Sequence, residues 1–240
     1  ENLLNFHGAE TVAAVIVEPI AGAGGVIMPP KGYLKRLREI CTQHNVLLIF
    51  DEVITGWGRT GSAFASTEFD VVPDMILSAK GITNAAVPLS AVFISDEIYN
   101  CCMERSPTPV EIYHGYTYSG HPVACAAGMA ALDIYESEGL LTRAAGDIGR
   151  YWEDALHSLA DLPQVIDVRN YGLMGAVEIC APPHLKGQLG PRALAAAWDK
   201  GVMVRGVGDA ICMSPPLTIE RTHIDKITSV LRDVIPTLIT

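Results

Sequence analysis

Leu47-Leu48-Ile49-Phe50-Asp51-Glu52-Val53-Ile54-Thr55-Gly56-Trp57-Gly58-Arg59-Thr60-Gly61, followed further on by Met75-Ile76-Leu77-Ser78-Ala79-Lys80, decides how this chain folds. Each stretch opens on a short apolar run bounded by turn residues, the pattern of a strand buried on both faces. Each then ends on charge. Asp51 and Glu52 close the first run, and an amine, Lys80, closes the second. The C-terminal ends of the strands are where open α/β sheets bind ligands.

An amine and a carboxylate on that edge suit pyridoxal phosphate. A lysine can form a Schiff base with its aldehyde, while a carboxylate keeps the pyridine nitrogen protonated, so that the ring works as an electron sink. Taken singly, each residue has a plainer reading, Asp51 as a turn cap and Lys80 as a solvated surface lysine. The connecting sequence Asp51-Glu52-Val53-Ile54-Thr55-Gly56-Trp57-Gly58-Arg59-Thr60-Gly61, with the later His114-Gly115-Tyr116-Thr117-Tyr118-Ser119-Gly120-His121-Pro122, resembles the class III (ω-) aminotransferases. The wording is most similar to the β-alanine–pyruvate branch, and the resemblance covers essentially the whole chain.

That resemblance implies an α/β fold of fold type I. A mainly parallel sheet belonging to a large cofactor-binding domain is expected over residues 1–138, and a smaller α+β domain over 139–240. It implies transamination, moving an amino group from an ω-amino acid or amine such as β-alanine to a keto acid such as pyruvate. A polyamine, taurine or 4-aminobutyrate remains open as the donor. Lys80 would hold the cofactor and act as general base, and Asp51 would stabilise the pyridinium charge. Val53, two residues on and on the same side of an extended chain, would pack against the ring. Glu18, in Glu18-Pro19-Ile20, matches a cofactor-pocket carboxylate, with a strand-end cap as the alternative.

Thr117 matches a threonine that reaches across a homodimer to the partner's cofactor phosphate. Arg205 resembles an arginine that grips the substrate carboxylate through two parallel hydrogen bonds, and Gly206 and Gly208 beside it would let it move. Trp57 either lines the substrate pocket or fills core. Arg59 reads as structural, and His121, before Pro122, as a cap or packing residue.

Composition narrows the partners. A net charge of −10 argues against nucleic acid or an anionic membrane. No apolar run approaches the ~20 residues that cross a bilayer. The six cysteines contain no C-x-x-C pair, and Cys101-Cys102 are adjacent, which fits reduced thiols in a cytoplasmic protein better than disulfides or zinc. The chain opens on Glu1 and reads as the C-terminal part of a longer enzyme, so an inactive fragment is a second reading. A third comes from a different class: Leu47-Leu48-Ile49-Phe50-Asp51-Glu52 has the form of a Walker B strand of a P-loop ATPase. The glycine run Ala21-Gly22-Ala23-Gly24-Gly25 lacks the Gly-Lys-[Ser/Thr] that a P-loop needs and is read as a turn.

Further elements follow from periodicity. Strands are expected over 11–17, 88–95, 165–170, 173–180 and 202–205. Helices are expected after Gly32 and over 95–103, 122–135, 142–159 and 191–200, with a last one starting at 222–225. A long loop is expected over 104–116.

Overall fold

The structure is a computed structural model describing residues 1–106 and 114–239; part of the expected long loop lies outside the described residues. The chain divides into two compact units. One comprises Glu1–Pro19, Pro30–Trp57 and Phe64–Glu138, the other Ile20–Pro29, Gly58–Ala63 and Gly139–Thr240.

The first unit is built on a four-stranded sheet of β1 (Ala14–Val17), β2 (Leu47–Asp51), β3 (Met75–Ser78) and β4 (Ala91–Ile94), in that spatial order. β1, β2 and β3 are parallel, and β4 runs antiparallel to β3. Helix α1 (Asn2–His7) precedes β1. The front of the strand expected over 11–17 is a 3-10 turn, Ala9–Thr11, because the Thr11 hydroxyl donates to the carbonyls of His7 and Gly8 and closes the chain there. Helix α2 (Tyr33–Gln43) is the crossover to β2, and its Leu34 and Cys41 pack with Leu48, Phe50 and Val71. Burying side chains of this size stabilises by about 1.5–3 kcal/mol each. Arg38 of α2 is half-buried. It pairs with Asp74 at 2.7 Å, and the same carboxylate accepts the Leu48 N–H at 2.6 Å.

The short helix α3 (Ala65–Glu68) follows β2. β4 is shorter than the expected 88–95: Pro88 has no N–H to give a ladder, and Ser95 is spent capping helix α4 (Asp96–Glu104), accepting the Ile98 N–H. Helix α5 (Pro122–Ser137) begins with Pro at its first position, which costs no hydrogen bond there. It buries one narrow stripe, Ala124, Gly128, Ala131 and Tyr135.

The second unit holds an antiparallel sheet of β5 (Val165–Tyr171), β6 (Met174–Ile179), β7 (Arg205–Val207) and β8 (Ala210–Met213), ordered β5-β6-β8-β7. Helices α6 (Asp147–His157), α7 (Leu189–Asp199) and α8 (Arg221–Val234) pack with it around fully buried Trp152, Leu156, Leu189, Ile211 and Ile224. The single helix expected over 142–159 is three pieces: a 3-10 segment Leu140–Ala145, α6, and a second 3-10 segment Ser158–Asp161. The first break falls at Gly146, whose extended backbone (ψ −157°) stops the first helix and starts the next. The strand expected over 202–205 is displaced to β7. Gly201 and Val202 still donate to Trp198 and Ala197, finishing α7, so ladder pairing cannot begin until Arg205. β7 then reverses through Gly208-Asp209 into β8, a strand the sequence reading missed. α8 is capped two residues ahead of expectation, Glu220 and His223 exchanging side-chain to backbone hydrogen bonds.

Candidate active site

Parallel strands in register end together. Val17 pairs with Phe50 and Asp51 with Leu77, so Glu18 just past β1, Asp51 at the end of β2 and Lys80 just past β3 share one edge of the first sheet. Ser78 pairs with Ala91, which brings the start of β4 to the same edge. There Pro88, Leu89 and Ser90 line an open recess of about 560 Å³ with the turn Thr117-Tyr118-Ser119-Gly120. The topology thus collects Glu18, Asp51, Lys80 and Thr117 from four distant stretches of sequence.

Asp51 is half-buried, and its Oδ1 accepts the Val53 N–H at 3.1 Å. That bond is an Asx turn, and it changes the backbone argument for Val53. The strand stops at Asp51 and Val53 sits in a turn folded back on the carboxylate, so period-2 reasoning does not place its side chain. Its backbone orients Asp51. Glu18 is half-buried. Lys80 is exposed, opens the 3-10 turn Lys80–Ile82 and has φ of +45°, in the left-handed region costly for a side chain. Thr117 is exposed, and His121 caps α5 as expected, its Nδ1 accepting the Val123 N–H at 3.2 Å.

Glu52, beside Asp51, was missed as a site residue. It is fully buried and accepts hydrogen bonds from the N–H groups of Ala65 (2.5 Å) and Ser66 (2.8 Å) and from the Thr55 hydroxyl (3.1 Å). Burial pushes its carboxyl above the ordinary value, against the opposing pull of the Ser66 and Ala65 N–H groups. A carboxylate so occupied is not presented to a nucleotide, which removes the Walker B reading. Trp57 belongs to the core of the first unit. Its Nε1–H donates to the buried Ser78 hydroxyl at 2.8 Å, and its ring stacks on Tyr135 with centroids 5.9 Å apart. In the sequence Tyr135 was visible only as the end of the helix expected over 122–135.

Arg205 belongs to the second unit, exposed at the start of β7 and paired with Cys212. Met203, Met213, Pro215 and Ile227 line a small recess with it. Burial pushes the Cys212 thiol up, while the charges of Arg169 and Arg205 pull it down. A Cβ on Gly206 would lie 2.2 Å from the carbonyl carbon of Gly190, so a glycine here lets β7 touch the start of α7. Arg59 is structural, donating to the Pro215 carbonyl.

The model of the class III aminotransferases matches residues 1–235. The chain is 51% identical over 235 residues to an omega-aminotransferase of Caulobacter vibrioides, covering 98% of this chain and 53% of that protein. It is 47% identical to the omega-amino acid–pyruvate aminotransferase of Pseudomonas putida, covering 99% of this chain and 53% of the other. Among solved structures, an (S)-enantioselective omega-transaminase from Thermomicrobium roseum superposes with a TM-score of 0.92 at 40% identity, over 100% of this chain and 54% of that one. The chain thus spans about half the length of the relatives it matches. With strand ends, turn and motif in agreement with these matches, the chain belongs to the class III aminotransferases.

Proposed function

We propose that the protein containing this chain is a pyridoxal phosphate-dependent aminotransferase that moves the amino group of an ω-amino acid such as β-alanine to pyruvate. The observation that carries the reading is Asp51 and Lys80 at the ends of adjacent parallel strands, on one edge of a sheet in a class III chain. Their chemistry fits the cofactor, which needs one amine for its aldehyde and one carboxylate for its ring nitrogen. When bound, pyridoxal phosphate supplies the electron sink.

This chain's residues do the rest. Lys80 would hold the cofactor through its aldehyde, and its Nζ, once free, would take the proton from the substrate carbon bearing nitrogen and deliver it to the carbon that had been the aldehyde's, so that the amino group stays with the cofactor. Asp51 carries no proton along the path; its charge, oriented by the Val53 N–H, stabilises the cationic ring. Glu18 adds a second carboxylate to the pocket, and Val53 borders it. Thr117 serves the phosphate of the partner's cofactor in a homodimer. Arg205 receives the substrate carboxylate. On this reading the cofactor-binding part lies within 1–138 and the small domain is 139–240, joined by residues 20–29 and 58–63. A reducing cytoplasm suits six free cysteines. The pyruvate and β-alanine preferences rest on the names of the relatives; a putrescine–pyruvate aminotransferase also matches, at 36% identity.

Borohydride reduction of the cofactor-loaded protein should fix pyridoxal phosphate to the peptide containing Lys80. Asp51→Asn should fold normally and lose about a hundredfold or more in kcat. A label on another lysine, or full turnover in Asp51→Asn, would overturn the assignment.

A further inference from the structure

Lys80 has an unfavourable backbone for a residue with a side chain, and it sits on an exposed turn. Something must hold it, since φ above zero outside glycine persists only where surrounding contacts over-determine it. Buried aromatic groups grip the chain on both sides. Before the lysine, Ser78 Oγ accepts the Trp57 Nε1–H at 2.8 Å. After it, the Gly81 carbonyl accepts the Tyr135 hydroxyl at 2.6 Å, with Asn84 Oδ1 also in reach at 3.1 Å.

The Gly81 backbone lies directly against the Trp57 side chain: a Cβ on Gly81 would come within 2.6 Å of Trp57 Cβ and 2.8 Å of Cγ and Cδ1. The two aromatic rings are themselves stacked, 15° from parallel. About two turns earlier on α5, a Cβ on Gly128 would be in ordinary contact with the Ile82 carbonyl at 3.6 Å, so the helix lies against this turn.

We propose that Trp57 and Tyr135 are positioning residues for Lys80, a seat that fixes the turn at residues 78–84 and so the place of the reacting amine. Trp57 is thereby reassigned from the substrate pocket to the support beneath the lysine. The link to catalysis rests on the function proposed above, but the seat itself is a property of this chain alone.

The test uses Tyr135→Phe, which keeps the ring stack and removes the hydroxyl, and Trp57→Phe, which removes the indole N–H. Hydrogen exchange is read first without cofactor, at the amides of Ile82, Thr83 and Asn84, which bond back to Ala79, Lys80 and Gly81. These should exchange about tenfold faster in Tyr135→Phe, while amides of β1 and β2 keep their rates. In the loaded protein the same variant should lower kcat and slow borohydride fixation at Lys80, with KM for the amine little changed. If Tyr135→Phe opens the whole unit, Trp57→Phe carries the comparison. Unchanged exchange at residues 82–84 in both variants would overturn the inference, whatever the protein binds. Failure of the unsubstituted protein to fix pyridoxal phosphate at Lys80 would instead overturn the proposed function and leave the exchange result standing.

Discussion

Glu52 shows how a single buried charge governs a loop. Its two oxygens collect Ala65, Ser66 and Thr55 and so pin the segment that leaves Asp51 and runs through Trp57. Gln at this position can accept with one oxygen only, and its amide nitrogen would face a backbone N–H, donor against donor. Glu52→Gln should therefore lose about 2–3 kcal/mol of unfolding free energy. The loss should depend on pH in a definite sense. Burial raises the carboxyl in the folded protein above its ordinary value of 4.5, so the folded state keeps this proton to higher pH than the unfolded chain. Stability from this group is greatest below the ordinary value and falls as pH climbs through the raised one. A protonated carboxyl oxygen still accepts an N–H, whereas the amide nitrogen never does. The gap between the original protein and Glu52→Gln, measured by urea unfolding, should then be widest in acid and narrow as pH rises; a gap that widens would reverse the assignment. In the sequence Glu52 was visible only as the neighbour of Asp51. Its partners lie 13 and 14 positions away across a turn, and no periodicity reports such contacts.

Elements whose signal is local were legible, and those decided by a neighbour were not. β2 and β3 are continuous apolar runs, and the Ile224, Leu231 and Val234 stripe of α8 follows the helical repeat into the core. Residues 202–204 are just as apolar as a strand, yet α7 claims their backbone first. The same boundary hides the work of Gly206. Its backbone touches Gly190 and Pro191, and an added Cβ would meet backbone atoms at 2.2 to 2.5 Å, none of which can swing away. Gly206→Ala should cost about 3 kcal/mol through overpacking, read as a lowered denaturation midpoint with an unchanged slope. If glycine were there for arginine motion, the substitution would alter kinetics and spare stability.

For the molecule as a whole, the division into two units is not a single cut. Residues 20–29 and 58–63 belong with 139–240, held within that unit by Arg169 donating to the Gly25 carbonyl at 2.8 Å and Arg59 donating to that of Pro215. Glycine-rich stretches carry no periodicity to say where they pack, so only the fold assigns them. That unit also carries Arg205, whose proposed role is chemical selection: a guanidinium grips a carboxylate through a planar pair of hydrogen bonds, and a neutral amine offers it nothing. Arg205→Ala should therefore weaken kcat/KM for β-alanine by about thirtyfold to a thousandfold and leave 1-phenylethylamine nearly unchanged. Arg205→Lys should restore only part, having the charge without the fork. The two half-reactions must be followed separately, because pyruvate carries a carboxylate too and its own loss would mask the donor effect in steady state. Arg205 is exposed at a strand start, so its removal should leave the denaturation midpoint near that of the original protein, in contrast to Gly206→Ala. Equal losses for charged and neutral donors would move Arg205 from recognition to architecture and send the search for the carboxylate site elsewhere in the protein.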